Sequence, residues 1–257
     1  MSFALITGAS KGIGKSIALK MAHEGFNVLL VARNQSLLQK VAEEIRAKYN
    51  VTVHIYAIDL SQKNAADTIY QWCSENNFEI NALINNAGYG LSGKFENYSL
   101  QEHLDMLQVN MHAVVELTYL FLPQLKKQPK SYLMNISSSS AYQAVPYLGL
   151  YAATKSFVLQ FTRALRYELK DSSVSVTCIS PGATDTDFVN RAKVGPKALK
   201  AADKFNMKAE DVAAVAVKSM LQGKTEVIVG AVNKLGAFFV WLLPKKLVES
   251  TAAKLYE

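Results

Sequence analysis

Two cysteines, Cys73 and Cys178, are the only thiols in this 257-residue chain, and neither stands in a CxxC spacing. That scarcity argues against a disulfide scaffold and a cysteine-built zinc site, and it fits a reducing, cytoplasmic setting. Histidine is nearly as scarce. His23, His54, His103 and His112 show no HExxH or other ligand spacing, so they read as structural or surface residues and no metal is expected. No apolar run reaches the roughly 18 residues that a membrane-spanning helix needs. The opening Met1-Ser2-Phe3-Ala4-Leu5-Ile6 has no basic stretch and runs into a strand pattern, so a cleaved leader is not expected. Linkers, low-complexity tracts and internal repeats are also missing. At this length one α/β domain over residues 1–257 is the expectation.

Charge is unbalanced, with 28 Lys and Arg against 21 Asp and Glu, a formal net of +7. The basic residues are spread along the chain and form no stripe interleaved with aromatics, so nucleic acid is not the expected partner. An anionic cofactor or substrate accounts for the balance more simply.

Short apolar runs alternate with longer amphipathic ones. Phe3–Thr7, Asn27–Ala32, Val51–Ile58, Ala82–Asn85, Ser131–Ser137, Val174–Ile179 and Glu226–Val229 read as strands. Gly12–Glu24, Leu37–Tyr49, Asn64–Glu75, Leu100–Leu125, Tyr151–Lys170 and Lys208–Gln222 read as helices. Strands this apolar suit a sheet covered on both faces, hence parallel strands with helical crossovers. The alternation predicts a doubly wound Rossmann-type sheet of about seven strands with helices on both faces. Ligands of such sheets bind beyond the carboxyl ends of the strands, so the loops there are the place to look.

The first of those loops is Thr7-Gly8-Ala9-Ser10-Lys11-Gly12-Ile13-Gly14, lying between a strand and a helix. Glycines permit the tight turn and let phosphate approach the backbone, while the helix N-terminus offers free N–H groups. Gly8, Ser10, Lys11, Gly12, Ile13 and Gly14 are therefore dinucleotide-binding candidates. After the second strand pattern the chain reads Ala32-Arg33, with none of the carboxylates that usually hold an NAD ribose. Arg33 suits a 2′-phosphate, and Lys11 adds a point charge nearby. Both are also the residue types that most often simply face water. The missing acid favours NADP(H) over NAD(H).

The spacing TGxxxGxG resembles that of the short-chain dehydrogenase/reductase family, and further motifs follow in the family's order. Ile58-Asp59-Leu60 ends the third strand pattern, where the resemblance implies an adenine contact for Asp59; a turn or capping role ahead of Ser61 is the other reading. Asn85-Asn86-Ala87-Gly88 resembles the family's NNAG. It implies that Asn86, Ala87 and Gly88 border the cofactor ribose, and a turn role for Asn86 is compatible with this.

Tyr151-Ala152-Ala153-Thr154-Lys155 opens a helical pattern and puts phenol and ammonium on one face. A free phenol titrates near about 10, and a neighbouring ammonium favours the phenolate, which brings a proton donor closer to working pH. The resemblance makes Tyr151 the acid and Lys155 its partner, with both also touching the cofactor. It makes Ser138, thirteen positions before Tyr151, the serine that orients the substrate oxygen, with Ser137, Ser139 and Ser140 as loop residues. Asn110 matches the asparagine that distorts the preceding helix and supports a water-linked relay behind Lys155. Pro181 and Gly182 match the family's PG, with Thr186, and more weakly Thr184, reaching the nicotinamide carboxamide.

The family resemblance implies NADPH-dependent reduction of a small, apolar carbonyl substrate by a homodimer or homotetramer packed through Leu100–Leu125 and Tyr151–Lys170. A cofactor-binding sensor without turnover is the alternative. An epimerase or dehydratase fits less well, because the chain is short and carries Arg33. Residues 190–208, with Arg191, Lys193, Lys197, Lys200, Lys204 and Lys208 against Asp203, read as a solvated helix or as a lid over an anionic substrate. The apolar tail over 233–257 includes Leu235–Leu243 between Lys234 and Lys245-Lys246. It reads as lining a pocket or a subunit contact, with membrane-surface docking the less favoured alternative.

Overall fold

The computed structural model describes residues 2–192, 195 and 206–256. Its strands are β1 (Ser2–Thr7), β2 (Asn27–Ala32), β3 (Val53–Ala57), β4 (Glu79–Asn85), β5 (Ser131–Ile136), β6 (Val174–Ser180), β7 (Thr184–Asp185), β8 (Met207–Lys208) and β9 (Glu226–Ile228). Its helices are α1 (Gly12–His23), α2 (Gln35–Lys48), α3 (Ala65–Glu75), α4 (Leu100–Leu107), α5 (Ala113–Lys127), α6 (Gly149–Glu168), α7 (Phe188–Arg191), α8 (Ala209–Leu221), α9 (Ala231–Leu242) and α10 (Lys245–Tyr256). Seven strands form one parallel sheet in the order β3-β2-β1-β4-β5-β6-β9, while among the described residues β7 and β8 pair with each other. This is the doubly wound sheet that the alternation predicts.

Residue-by-residue alternation explains why both faces are covered. In β1, Ala4 and Ile6 point to a core shared with Ile17 and Met21 of α1, Leu38 and Ile45 of α2, and Val212 and Val217 of α8. Leu5, between them, points to the opposite core with Ile69 of α3, Leu117 and Phe121 of α5, and Leu165 of α6. A strand buried on both sides has no polar face, which is why these runs are apolar throughout. The chain winds from β1 out to β3 and then crosses to β4 on the other side of β1. That reversal opens a crevice beyond the carboxyl ends of β1 and β4.

Two sequence expectations need correction, and the tail adds two helices for which no expectation stood. The stretch Leu100–Leu125 is not one helix: α4 and α5 are separated by a wider turn over Gln108–His112, in which the Ala113 N–H bonds to the Gln108 carbonyl five residues back. Met207–Lys208 is a strand rather than the start of α8. The tail after β9 is helical, forming α9 and α10. In α9 the apolar residues Leu235, Phe238, Trp241 and Leu242 face outward, the reverse of the pattern expected of a helix packed on a core.

Candidate active site

The glycine loop is shaped by backbone conformations that side chains resist. Gly8 (φ 66°) and Gly12 (φ 55°) are left-handed, and a Cβ on Gly14 would lie 2.2 Å from the Gly8 carbonyl oxygen. α1 can therefore pack directly on the end of β1 only with glycine at 14. Lys11 precedes α1 without capping it through its side chain, so the first-turn N–H groups keep their affinity for an anion. Thr7 and Asn86 lock the neighbouring loop to this one. The Thr7 hydroxyl accepts from the N–H groups of Asn86 and Ala87 at 3.0 Å each, and Asn86 Nδ2 donates to the carbonyls of Thr7 (2.9 Å) and Gly8 (3.3 Å).

At the outer end of the crevice the two expected cations already have carboxylate partners. Arg33 Nη1 lies 3.5 Å from Asp59 Oδ2, and the Lys11 ammonium is bonded to Asp187. Both pairs are exposed, so each contributes only about 0–1 kcal/mol and can yield to a stronger anion. Asp59 Oδ1 also accepts from the N–H and the hydroxyl of Ser61 at 3.0 Å each, so its turn role is built into the structure. Burial pushes its carboxyl up, but the Ser61 hydrogen bonds and the Arg33 charge outweigh that and hold it below its ordinary value.

At the inner end, α6 places Tyr151 and Lys155 one turn apart. Lys155 is 4 % exposed; its Nζ donates to the Ile136 carbonyl at 2.9 Å and lies 5.8 Å from the Tyr151 ring centroid. Burial brings its pKa down from a lysine's ordinary 10.5 to about 8. Asn110 sits in the wider turn, fully buried. Its Nδ2 donates to the Tyr89 carbonyl (2.8 Å) and Thr154 Oγ1 (3.1 Å), and its Oδ1 accepts from the Tyr89 N–H (3.0 Å). Gly88 keeps this region open: a Cβ there would come within 3.1 Å of Lys155 Nζ and 3.2 Å of Asn110 Oδ1.

The serine run after β5 sorts itself by hydrogen bonding. The Ser137 hydroxyl donates to the Lys155 carbonyl (2.7 Å), and the Ser139 N–H donates to the Pro181 carbonyl (2.7 Å). Ser138 Oγ accepts from the N–H (3.1 Å) and hydroxyl (3.0 Å) of Ser140. Ser138 is thereby oriented as an acceptor on one side while its own proton can turn toward a ligand.

The segment after β6 crosses the crevice. The Thr184 hydroxyl donates to the Gly182 carbonyl (3.0 Å), and the Thr186 hydroxyl donates to the Thr184 carbonyl (3.4 Å) and accepts from the Phe188 N–H (3.3 Å). The Thr186 methyl is 3.0 Å from where a Gly12 Cβ would be, so this segment touches the glycine loop. The Phe188 and Tyr151 rings are 5.2 Å apart, and the Arg191 guanidinium lies 3.8 Å above the Tyr89 ring. The Asn233 amide of α9 packs against Gly182, so that a Cβ at 182 would lie 2.2 Å from it. Phe188 and Asn233 carried no motif, and only the folded chain brings them to the site.

Every candidate residue from the sequence except Asn110 lines this one crevice of about 680 Å³, and Asn110 supports it from behind. Of the basic 190–208 segment, Lys193, Lys197, Lys200, Asp203 and Lys204 lie outside the described residues, and so does the lid expectation built on them. Among the described residues no group of three or more His, Cys, Asp or Glu is placed to hold a metal. Cys73 and Cys178 are buried free thiols. The uncapped α1 terminus, the glycines without room for side chains and the two exchangeable cations together fit a dinucleotide.

Comparison with known proteins agrees with that geometry. The family model for short chain dehydrogenases matches residues 2–196. An uncharacterized oxidoreductase of Staphylococcus aureus is 31% identical over 221 residues, 86% of this chain and 91% of the relative. A solved 7beta-hydroxysteroid dehydrogenase superposes with a TM-score of 0.83 at 28% identity, covering 92% of this chain and 90% of that one. A short-chain dehydrogenase from Sphingobium yanoikuyae in complex with NADPH superposes at 0.82 with 26% identity, covering 93% and 92%. With a family match over most of its length, a seven-stranded parallel sheet and the motif series gathered in one crevice, this chain belongs to the short-chain dehydrogenase/reductase family of oxidoreductases.

Proposed function

We propose that the protein uses NADPH to reduce the carbonyl of a small, apolar ketone, aldehyde or ketoacyl compound to an alcohol. The observation that carries this reading is the inner wall of the crevice, where Ser138, Tyr151 and the buried Lys155 ammonium lie together. Gly8, Ser10, Lys11, Gly12, Ile13 and Gly14 would hold the diphosphate, with the α1 N–H groups facing it. Asn86, Ala87 and Gly88 would border the ribose, and Pro181, Gly182, Thr184 and Thr186 the nicotinamide. Asp59 would contact the adenine. Arg33, following Ala32 where an NAD site carries an acid, would exchange Asp59 for a 2′-phosphate through two charge-assisted hydrogen bonds.

Bound NADPH supplies the hydride; the residues of this chain position the carbonyl and deliver the proton. Ser138 donates a hydrogen bond to the substrate oxygen. Tyr151 gives that oxygen its proton as negative charge develops on it, and Lys155, held in place by the Ile136 carbonyl, stabilises the phenolate left behind. Asn110, bonded to both polar groups of the Tyr89 backbone, keeps the helix distorted and the route behind Lys155 open for reprotonation. Leu148 and Phe188 give the substrate side of the crevice an apolar character, and the similarity to a hydroxysteroid dehydrogenase points the same way.

The test is NADPH oxidation by purified protein against steroid ketones, diketones, aldehydes and 3-ketoacyl thioesters, with NADH and Tyr151→Phe as controls. Turnover with NADPH that falls about 10²–10⁴-fold in Tyr151→Phe is expected. Tight NADPH binding with no turnover of any compound would replace this reading with a sensor.

A further inference from the structure

Helix α9 has no buried residue. Asn233, Ala237 and Val240 turn toward the protein, and Asn233 Nδ2 donates to the Val229 carbonyl at 2.7 Å. At 3.6 residues per turn, Leu235, Phe238 and Leu242 fall on the opposite side, flanked by Val232, Phe239 and Trp241. All six are exposed, Leu235 by 57 %, Leu242 by 58 % and Trp241 by 79 %, and Leu243 and Leu247 continue the patch beyond the helix. A contiguous apolar surface of this kind marks an interaction site.

The charge around the patch identifies what it meets. Lys234 lies within it and Lys245 and Lys246 close its far end, and the sequence from Val227 to Val248 contains no acidic residue. A second copy docking by symmetry would bring two lysine-bearing patches together, with no carboxylate between Val227 and Val248 on either copy to pair them. An anionic lipid surface pairs them all while taking the aromatic and aliphatic side chains into the acyl boundary. The helix has twelve residues, about 18 Å, which is too short to cross the roughly 30 Å hydrocarbon core and suited to lying along it.

We propose that α9 and the start of α10 form a docking surface for an anionic phospholipid bilayer, with Leu235, Phe238, Trp241 and Leu242 inserted and Lys234, Lys245 and Lys246 at the headgroups. α9 also packs on the Ser139–Tyr142 turn that follows Ser138 and against Gly182 through Asn233. Docking would therefore bring the substrate end of the crevice beside the bilayer, where apolar carbonyl compounds concentrate. The surface does not depend on the reductase reading.

The chain has two tryptophans, so Trp72→Phe leaves Trp241 as the sole reporter. The full-length protein should co-sediment with vesicles of phosphatidylcholine and phosphatidylglycerol, and much less with phosphatidylcholine alone. Trp241 emission should shift to shorter wavelength and be quenched by lipids brominated in the acyl chain. Lys245→Glu with Lys246→Glu should weaken binding by about tenfold or more, and Phe238→Ser with Trp241→Ser should abolish it. All four positions are exposed, so the variants should melt like the parent. Absence of vesicle binding with unchanged Trp241 emission would overturn the proposal. So would a lipid-free dimer that Phe238→Ser with Trp241→Ser dissociates, since a second copy would then cover the patch.

Discussion

Lys155 carries opposing demands. Its ammonium is useful beside Tyr151, yet burial disfavours the charge and brings its pKa down to about 8 from 10.5. The unfolded chain therefore binds this proton more tightly than the folded one. Below pH 8 the charged group lowers stability, and the loss is relieved as pH rises from 8 toward 10.5. Lys155→Met should accordingly raise Tm at pH 7 while removing activity, with a smaller gain at pH 10; a calorimetric melting series checks the sign. Gly14 is constrained by contact rather than charge. Gly14→Ala would drive a Cβ to 2.2 Å from the Gly8 carbonyl and should cost about 1–3 kcal/mol or more by urea unfolding, with NADPH binding lost. For Arg33, Arg33→Ala should weaken NADPH by about 1.5–3 kcal/mol, roughly ten- to a hundredfold in Kd, and leave NADH unchanged in a fluorescence titration.

Between elements, a buried polar chain fixes the strands that hold the site. Asn85 Nδ2 donates to Asn135 Oδ1 (2.9 Å) and Thr118 Oγ1 (3.2 Å), and Asn135 Nδ2 donates to Thr162 Oγ1 (2.9 Å), tying β4, β5, α5 and α6 together. Asn135→Leu would strip Asn85 and Thr162 of a partner in the core and should cost about 1–3 kcal/mol by urea unfolding. Elements with a plain pattern, such as the amphipathic α2 or the uniformly apolar β1, could be read from sequence to within a few residues. The turn at Gln108–His112 was marked only by Asn110, and its extent and the break between α4 and α5 showed only in the fold. α9 was not read as a helix because apolar residues lie on its outer side, where a helix on a water-facing surface has polar ones.

Across the whole molecule, the site is the meeting of loops that follow β1 to β6, and each loop's motif could be recognised separately. What sequence could not show is how they hold one another. Thr7 and Asn86 join the loops after β1 and β4, and Asn233 of α9 packs against Gly182 in the loop after β6. Nor could it show that Lys11 and Arg33, the cations expected for phosphate, rest on Asp187 and Asp59. The proposed reaction delivers a hydride to a substrate carbon while Tyr151 supplies the proton. NADPH deuterated at the transferring position of its nicotinamide, incubated with a ketone found active in the panel, tests it directly by mass spectrometry of the alcohol. One deuterium on the carbinol carbon is expected with the parent protein, and almost no labelled product with Tyr151→Phe. Unlabelled alcohol, or undiminished labelling in Tyr151→Phe, would contradict it.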